Sequence, residues 1–221
     1  MLRDGDGMVR ADAAHALGQL RPPATAAVRP LIATLEDGAA FTRVRAAEAL
    51  GAMGPAARAA VGPLAVHVED PDLFVRLSAI KALAAVGPAA SAAAPALARK
   101  VASPDAGERW EAGGALGRMG RGAVPALIAL LREPDYGARH VAAKALGQIG
   151  PDARDAVPAL VAVLTDREYA VRFAAIDALG AIGPGASGAV GSLESLRQRD
   201  PMTRPSVDRA LQAIGAPAPP R

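Results

Sequence analysis

Arginine and carboxylate recur along this 221-residue chain at a fixed beat. Arg10, Arg43, Arg76, Arg109, Arg139, Arg172 and Arg204 follow one another at steps of 33, 33, 33, 30, 33 and 32, and six residues ahead of the first six stand Asp4, Asp37, Asp70, Ser103, Glu133 and Asp166. A guanidinium and a carboxylate held at one offset make charge-assisted, often bidentate hydrogen bonds. Repeated unit by unit, the pairs are expected to form a ladder that runs from layer to layer and satisfies backbone groups left open at helix starts. The expected role is structural, not that of a basic stripe for an anionic ligand.

A second set of columns carries the variation. One residue after each ladder arginine come Ala11, Val44, Leu77, Trp110, His140, Phe173 and Pro205; four further on come His15, Glu48, Lys81, Gly114, Lys144, Asp177 and Arg209. On a helix these two sets share a face. Two other columns hardly change: Ala13, Ala46, Ala79, Ala112, Ala142 and Ala175, then Leu17, Leu50, Leu83, Leu116, Leu146, Leu179 and Leu211. Small and aliphatic residues that repeat are packing residues. A varied strip of Val44, Leu77, Trp110, His140 and Phe173, flanked by Glu48, Lys81, Lys144 and Asp177, is the candidate groove for a ligand, since aromatic residues are enriched where binding energy concentrates. The plain alternative is that its apolar members only cover a helix seam.

Catalytic chemistry finds few residues. The three histidines, His15, His67 and His140, fall in different units, and no HExxH pattern or phosphate-cradling glycine loop is present. Cysteine is absent, which removes disulfides, thiolate nucleophiles and cysteine-ligated metals together. Ser91, Ser187, Ser192 and Ser195 have no base within their units. No catalytic residue, metal or organic cofactor is implied. Net charge is +3 with only three lysines, Lys81, Lys100 and Lys144, so the arginine excess gives a poor electrostatic footprint for nucleic acid. Such arginine usage beside much Ala, Gly and Pro is what a GC-rich genome also produces. The opening Met1-Leu2-Arg3-Asp4-Gly5-Asp6-Gly7 lacks the basic-then-apolar order of a secretory leader, and no run of 18 uninterrupted apolar residues follows, so a soluble cytoplasmic protein off the membrane is expected.

The elements that place these residues follow from the repeat. Val157, Leu160, Val161 and Leu164 are spaced as one helix face, and Pro158 suits a first turn where its missing N–H is harmless. Val171, Ala175, Ala178, Leu179 and Ile182 mark a second helix, which Gly183-Pro184 ends with a left-handed residue and a ring that cannot continue. Each unit is a helical hairpin, and self-similarity at this period predicts a stacked solenoid. Units end near residues 21, 54, 87, 120, 150, 183 and 215, within one array over 1–215, followed by a disordered Pro/Ala tail at 216–221. Phe41, Phe74, Tyr136 and Tyr169 are expected ahead of the second helices as hydrophobic staples. The fourth unit departs, with Glu108-Arg109-Trp110-Glu111 and a Gly113-Gly114 pair inside its second helix. It is expected to be the softest layer.

Asp70, Val75-Arg76, Ala82-Leu83 and Val86-Gly87-Pro88, and again Asp166, Val171-Arg172, Ala178-Leu179-Gly180-Ala181-Ile182-Gly183-Pro184, resemble the HEAT repeat in its short bacterial, bilin-lyase-like form. The resemblance implies an all-α fold: a right-handed α-solenoid of about seven hairpins, the first lacking its first helix. It implies the second helices as the concave face and a protein or peptide segment as the partner of a non-catalytic scaffold. Two enzyme classes stand as alternatives on the same resemblance. One is bilin-lyase-like chromophore handling. The other is a HEAT-like alkylpurine DNA glycosylase, for which Trp110 with Glu111 or Asp105 would have to act. At the ends, Asp208 replaces an apolar column as a polar cap, whereas the N-terminal face carries no such change, which points to self-association or a missing segment there.

Overall fold

The computed structural model describes residues 1–20 and 23–216; Arg21, where the first unit was read to end, and 217–221 of the expected tail lie outside them. Thirteen α-helices and no strand occur among the described residues. The second helices of successive units are α1 (Gly7–Gln19), α3 (Ala40–Ala52), α5 (Leu73–Val86), α7 (Ala106–Arg118), α9 (Tyr136–Ile149), α11 (Tyr169–Ile182) and α13 (Arg204–Ile214). Between them lie the shorter first helices α2 (Val28–Thr34), α4 (Val61–His67), α6 (Ala94–Val101), α8 (Val124–Leu130), α10 (Val157–Ala162) and α12 (Val190–Arg199). The chain is an α-solenoid of helical hairpins, and among the described residues the first element is α1, a second helix.

The invariant columns form the core. Leu50, Leu83, Leu116, Leu146 and Leu179 are all 0 % exposed, as are Leu31, Leu64, Leu97, Leu127, Leu160 and Leu193 from the first helices. Consecutive second helices pack along their lengths, whereas consecutive first helices touch lightly, so the second helices form the inner side of the bend. Small residues allow that closeness: a Cβ added at Gly18 of α1 would stand 2.7 Å from the Ala49 Cα of α3. The apolar runs Leu73–Val101 and Tyr169–Arg199 are long enough to cross a membrane by length and composition alone. Each is two helices joined by a 3₁₀ turn and packed into the stack, and neither is one straight span.

At Gly87, Gly150 and Gly183 the glycine that ends the second helix has positive φ but not the left-handed helical conformation the sequence suggested. Gly183 has φ 69° and ψ −140°, and Gly87 and Gly150 match it, a region that only glycine enters without strain. Gly215 is left-handed, with φ 84° and ψ 24°. After this reversal a 3₁₀ turn such as Gly150–Ala156 leads into the next first helix, which begins with Pro158 in its first turn.

The staple expectation is overturned. Phe41, Phe74, Tyr136 and Tyr169 lie inside the first turn of their helices and face solvent, Phe74 being 68 % exposed. Residues already within the helix cannot fold back across its start. Two of these rings carry a cation instead, Arg45 at 5.0 Å from Phe41 and Arg172 at 4.1 Å from Tyr169.

From Arg10 to Arg172 the ladder pairs each arginine with the following layer, whereas Arg204 donates back to the Arg197 carbonyl at 3.1 Å. Arg10 donates to Asp37 (2.6 and 2.9 Å), Arg43 to Asp70 (2.9 and 2.9 Å) and Arg139 to Asp166 (2.6 and 2.9 Å), each through two nitrogens. The residue six positions ahead supplies its backbone carbonyl: Asp4 to Arg10, Asp37 to Arg43, Asp70 to Arg76, Glu133 to Arg139 and Asp166 to Arg172. Asp70 is therefore the carboxylate partner of Arg43, not of Arg76.

Where Ser103 removes the acid, the fourth unit supplies another. Glu108, 3 % exposed at the first turn of α7, accepts from Arg76 Nε at 2.5 Å and lies 3.6 Å from Lys100, which also pairs with Glu69. The Glu108 that breaks the repeated pattern thus replaces the missing turn acid. Beyond the 30-residue step the expected Glu133 is bypassed: Arg109 reaches Asp135 at 3.2 Å, and the Glu133 carboxylate makes no ion pair among the described residues. Arg172 meets Asp200 with one nitrogen at 3.2 Å.

Candidate functional site

One residue beyond the ladder, the same helices turn to the inner side of the bend. Val44 on α3, Leu77 on α5, His140 on α9 and Phe173 on α11 are half-buried, while Trp110 on α7 is 49 % exposed. Glu48, Lys81, Lys144 and Asp177, one turn on, are exposed. The first turn of each helix is fixed by the ladder arginine just before the strip residue, and the buried alanine and leucine columns fix its rotation. A helix so held leaves the strip positions no route into the core.

The strip is most developed between α7 and α11. Trp110 and His140 meet edge to face, with ring centroids 5.6 Å apart and an interplanar angle of 77°. Lys144 Nζ lies 4.9 Å from the Trp110 ring centre, in cation–π range. Burial, and then the positive charge of Lys144, hold the His140 imidazole below its ordinary pKa, so its neutral form is favoured. Beside this trio a cleft of about 490 Å³ opens between α9 and α11, walled by His140 and Phe173, floored by Ala143, Gly147, Ala174 and Ala178, and rimmed by Lys144 and Asp177. Toward the N-terminus the strip carries its charges differently. Glu48 pairs with Arg45 at 2.9 Å on its own helix, and Lys81 reaches Glu111 of the next layer at 3.6 Å.

The residues read for a glycosylase are occupied otherwise. Glu111 faces Lys81, and Asp105 caps α7 by accepting from the Glu108 amide at 2.8 Å. No group of three or more His, Asp or Glu that could hold a metal occurs among the described residues.

Gly114, in the flanking column, opens a gap in the strip with nothing within 4 Å of an added Cβ. Its neighbour Gly113 faces the Val141 side chain of α9, which fills the space a Cβ would need. In the same way the Gln148 side chain lies over Gly117. α7 packs less extensively on both flanking second helices than the other inner helices do, and side chains fill the wider gap. Glu108, Asp135 and Asp200 completed the ladder unseen from sequence; for Glu108 the signal was an acid immediately ahead of the arginine in the one unit whose turn lacks one.

Known proteins agree with this architecture. An engineered protein is 24 % identical over 98 % of this chain and 67 % of its own, with a TM-score of 0.61. A chain of the complex of CpcE and CpcF of phycocyanin lyase from Nostoc sp. PCC7120 is 29 % identical over 97 % of this chain and 91 % of its own, with a TM-score of 0.51. Importin beta gives a TM-score of 0.65 at 17 % identity, over 95 % of this chain and 34 % of its own, a likeness of fold alone. No curated protein matches the chain in sequence. The model of HEAT repeats matches residues 28–117, 94–154 and 124–215, and with arginine ladder, glycine reversals and paired helices all in place, the chain belongs to the HEAT-repeat family.

Proposed function

We propose that residues 1–215 form one non-catalytic scaffold that holds a protein or peptide segment against its inner strip, in the cytoplasm. The observation that carries this reading is the exposed Trp110 with His140 and Lys144 arranged around it, beside a cleft lined by the variable columns. A solvent-facing aromatic on a concave surface, ringed by ionisable side chains, has the composition of a binding hot spot. A relative found in a two-protein complex supports the same use of the fold.

Affinity capture with the native chain and with Trp110→Ala/Phe173→Ala tests this. The double variant should lose its partner while its melting temperature stays within a few degrees, a shift of roughly 1 kcal/mol or less in a chain of this size. Identical captured sets would overturn the reading.

The second reading, chromophore handling, rests on the likeness to the phycocyanin lyase chain. A bilin titration followed by absorbance decides it: a saturable spectral shift that Trp110→Ala removes would replace the scaffold reading.

A further inference from the structure

The strip treats its charges unequally along the stack. Glu48 and Lys81 each have an internal partner of opposite sign, Arg45 and Glu111. Lys144 and Asp177 have none: neither makes an ion pair among the described residues, and Lys144 rests on the face of Trp110. These two stand on opposite rims of the cleft between α9 and α11, one layer apart, about 10 Å by ordinary helix packing. In the structure they do not meet, and Lys144 turns to the indole instead. A cleft with a small-residue floor, two ring walls and unpaired charges of opposite sign on its rims is complementary to a ligand of matching pattern.

Resting on the scaffold reading, we propose that the cleft takes an extended peptide segment in which an apolar side chain lies between an acidic and a basic residue three positions apart, the acid meeting Lys144 and the base meeting Asp177. Three residues of extended chain in the polyproline II form span about 9 Å, close to the depth of one layer, and positions three apart then share a face. A helical segment would need roughly seven residues for the same distance. The apolar side chain enters between His140 and Phe173. An acid arriving at Lys144 draws the ammonium off the indole, which makes Trp110 a reporter of occupancy.

The chain holds a single tryptophan, so its emission reports on this place alone. Three blocked, tryptophan-free hexapeptides are titrated against the full chain, each with a central leucine and with Glu/Lys, Glu/Glu or Lys/Lys at the two positions three apart. The Glu/Lys peptide should change Trp110 emission saturably and bind about tenfold more tightly than either like-charged peptide. Asp177→Lys should shift the preference to Glu/Glu, and Lys144→Glu should shift it to Lys/Lys. Both positions are exposed, and circular dichroism confirms that the variants fold. An unchanged rank order in both variants, or no saturable change with any peptide, overturns the inference. Partner capture that depends on Trp110 and Phe173 but ignores charge reversal at 144 and 177 would sink this inference and leave the scaffold reading standing.

Discussion

On α9, Arg139 and His140 are consecutive residues with opposite roles. Arg139 is 8 % exposed and spends its guanidinium on the carbonyls of Glu133 and Pro134 and on both oxygens of Asp166. His140 faces the inner strip, touching Trp110 and lining the cleft. The rim made by the arginines is chemically rich and largely committed to holding layers together; the strip is chemically mixed and has groups to spare. In a repeat, constancy across units marks the side chains consumed by stacking, and variation marks those left for a partner.

The largest effect should come from breaking the rim. Arg139→Ala would leave the Asp166 carboxylate and two turn carbonyls without their donor, a loss of about 3 kcal/mol, at the low end for a buried pair because the ladder lies near the surface. Urea unfolding measures it, and Arg139→Lys should recover only part, since an ammonium cannot span both oxygens. A loss below about 0.5 kcal/mol would reduce the ladder to ordinary surface pairing.

Next is the repaired layer. Glu108→Val restores the repeated apolar residue but deprives Arg76 and Lys100 of their shared carboxylate, costing about 2 kcal/mol. Adding Ser103→Asp should return most of it, because the acid is then back at the turn position used by the other layers. If the double variant is no more stable than Glu108→Val, Glu108 is not a substitute acid.

The adjacent glycines sharpen the comparison inside α7. Gly113→Ala must displace Val141 and should cost roughly 1–3 kcal/mol by overpacking, whereas Gly114→Ala meets nothing and should stabilise by about 0.5–1 kcal/mol. Thermal melts in which Gly114→Ala destabilises and Gly113→Ala stabilises would reverse the assignment of which glycine faces the next layer.

The smallest effects are those of pH. Burial is the largest single influence on the Asp70 and Asp166 carboxyls and alone would raise them, but the hydrogen bonds and charge of Arg43 and Arg139, with the amides of Asp72 and Glu168 and the His67 contact to Asp70, together outweigh it and hold them below the usual 3.8; at Asp37 the Arg10 hydrogen bond is the largest influence and lowers it. Their contribution is present above that value and is lost as pH falls below it. His140 works in a higher window: its folded pKa lies below 6.5, so stability declines as pH drops through 6.5 and the unfolded chain takes up the proton first. His140→Gln should flatten that upper slope and leave the acid limb unchanged.

The helices, the core columns and the ladder arginines were legible because each rests on local chemistry repeated in every unit. Partner choice was not, for an arithmetic reason. With a period of 33, an acid six residues before one arginine is also 27 residues after the preceding one, and an ideal repeat contains nothing that separates the two. Only the irregular units resolve it, where Ser103 forces Glu108 into use and the 30-residue step sends Arg109 to Asp135. The strip positions were readable as variable. Their division into paired charges toward the N-terminus and unpaired charges around the cleft depends on contacts between layers that no column displays. The exposed aromatics were misread through a boundary placed one or two residues late.

Because each arginine takes its carbonyl from its own turn and its carboxylate from the next, the ladder has a direction, like bricks with a stud on one face and a socket on the other. An internal unit copied or removed whole, cut between equivalent points of two glycine reversals, presents the same stud and socket to its new neighbours. Length can change in steps of one hairpin without redesigning a junction. A unit inserted backwards would set guanidinium against guanidinium. The ladder thereby makes this stack extensible in one orientation only, and the strip on its inner side grows or shrinks by one reading position with each unit exchanged.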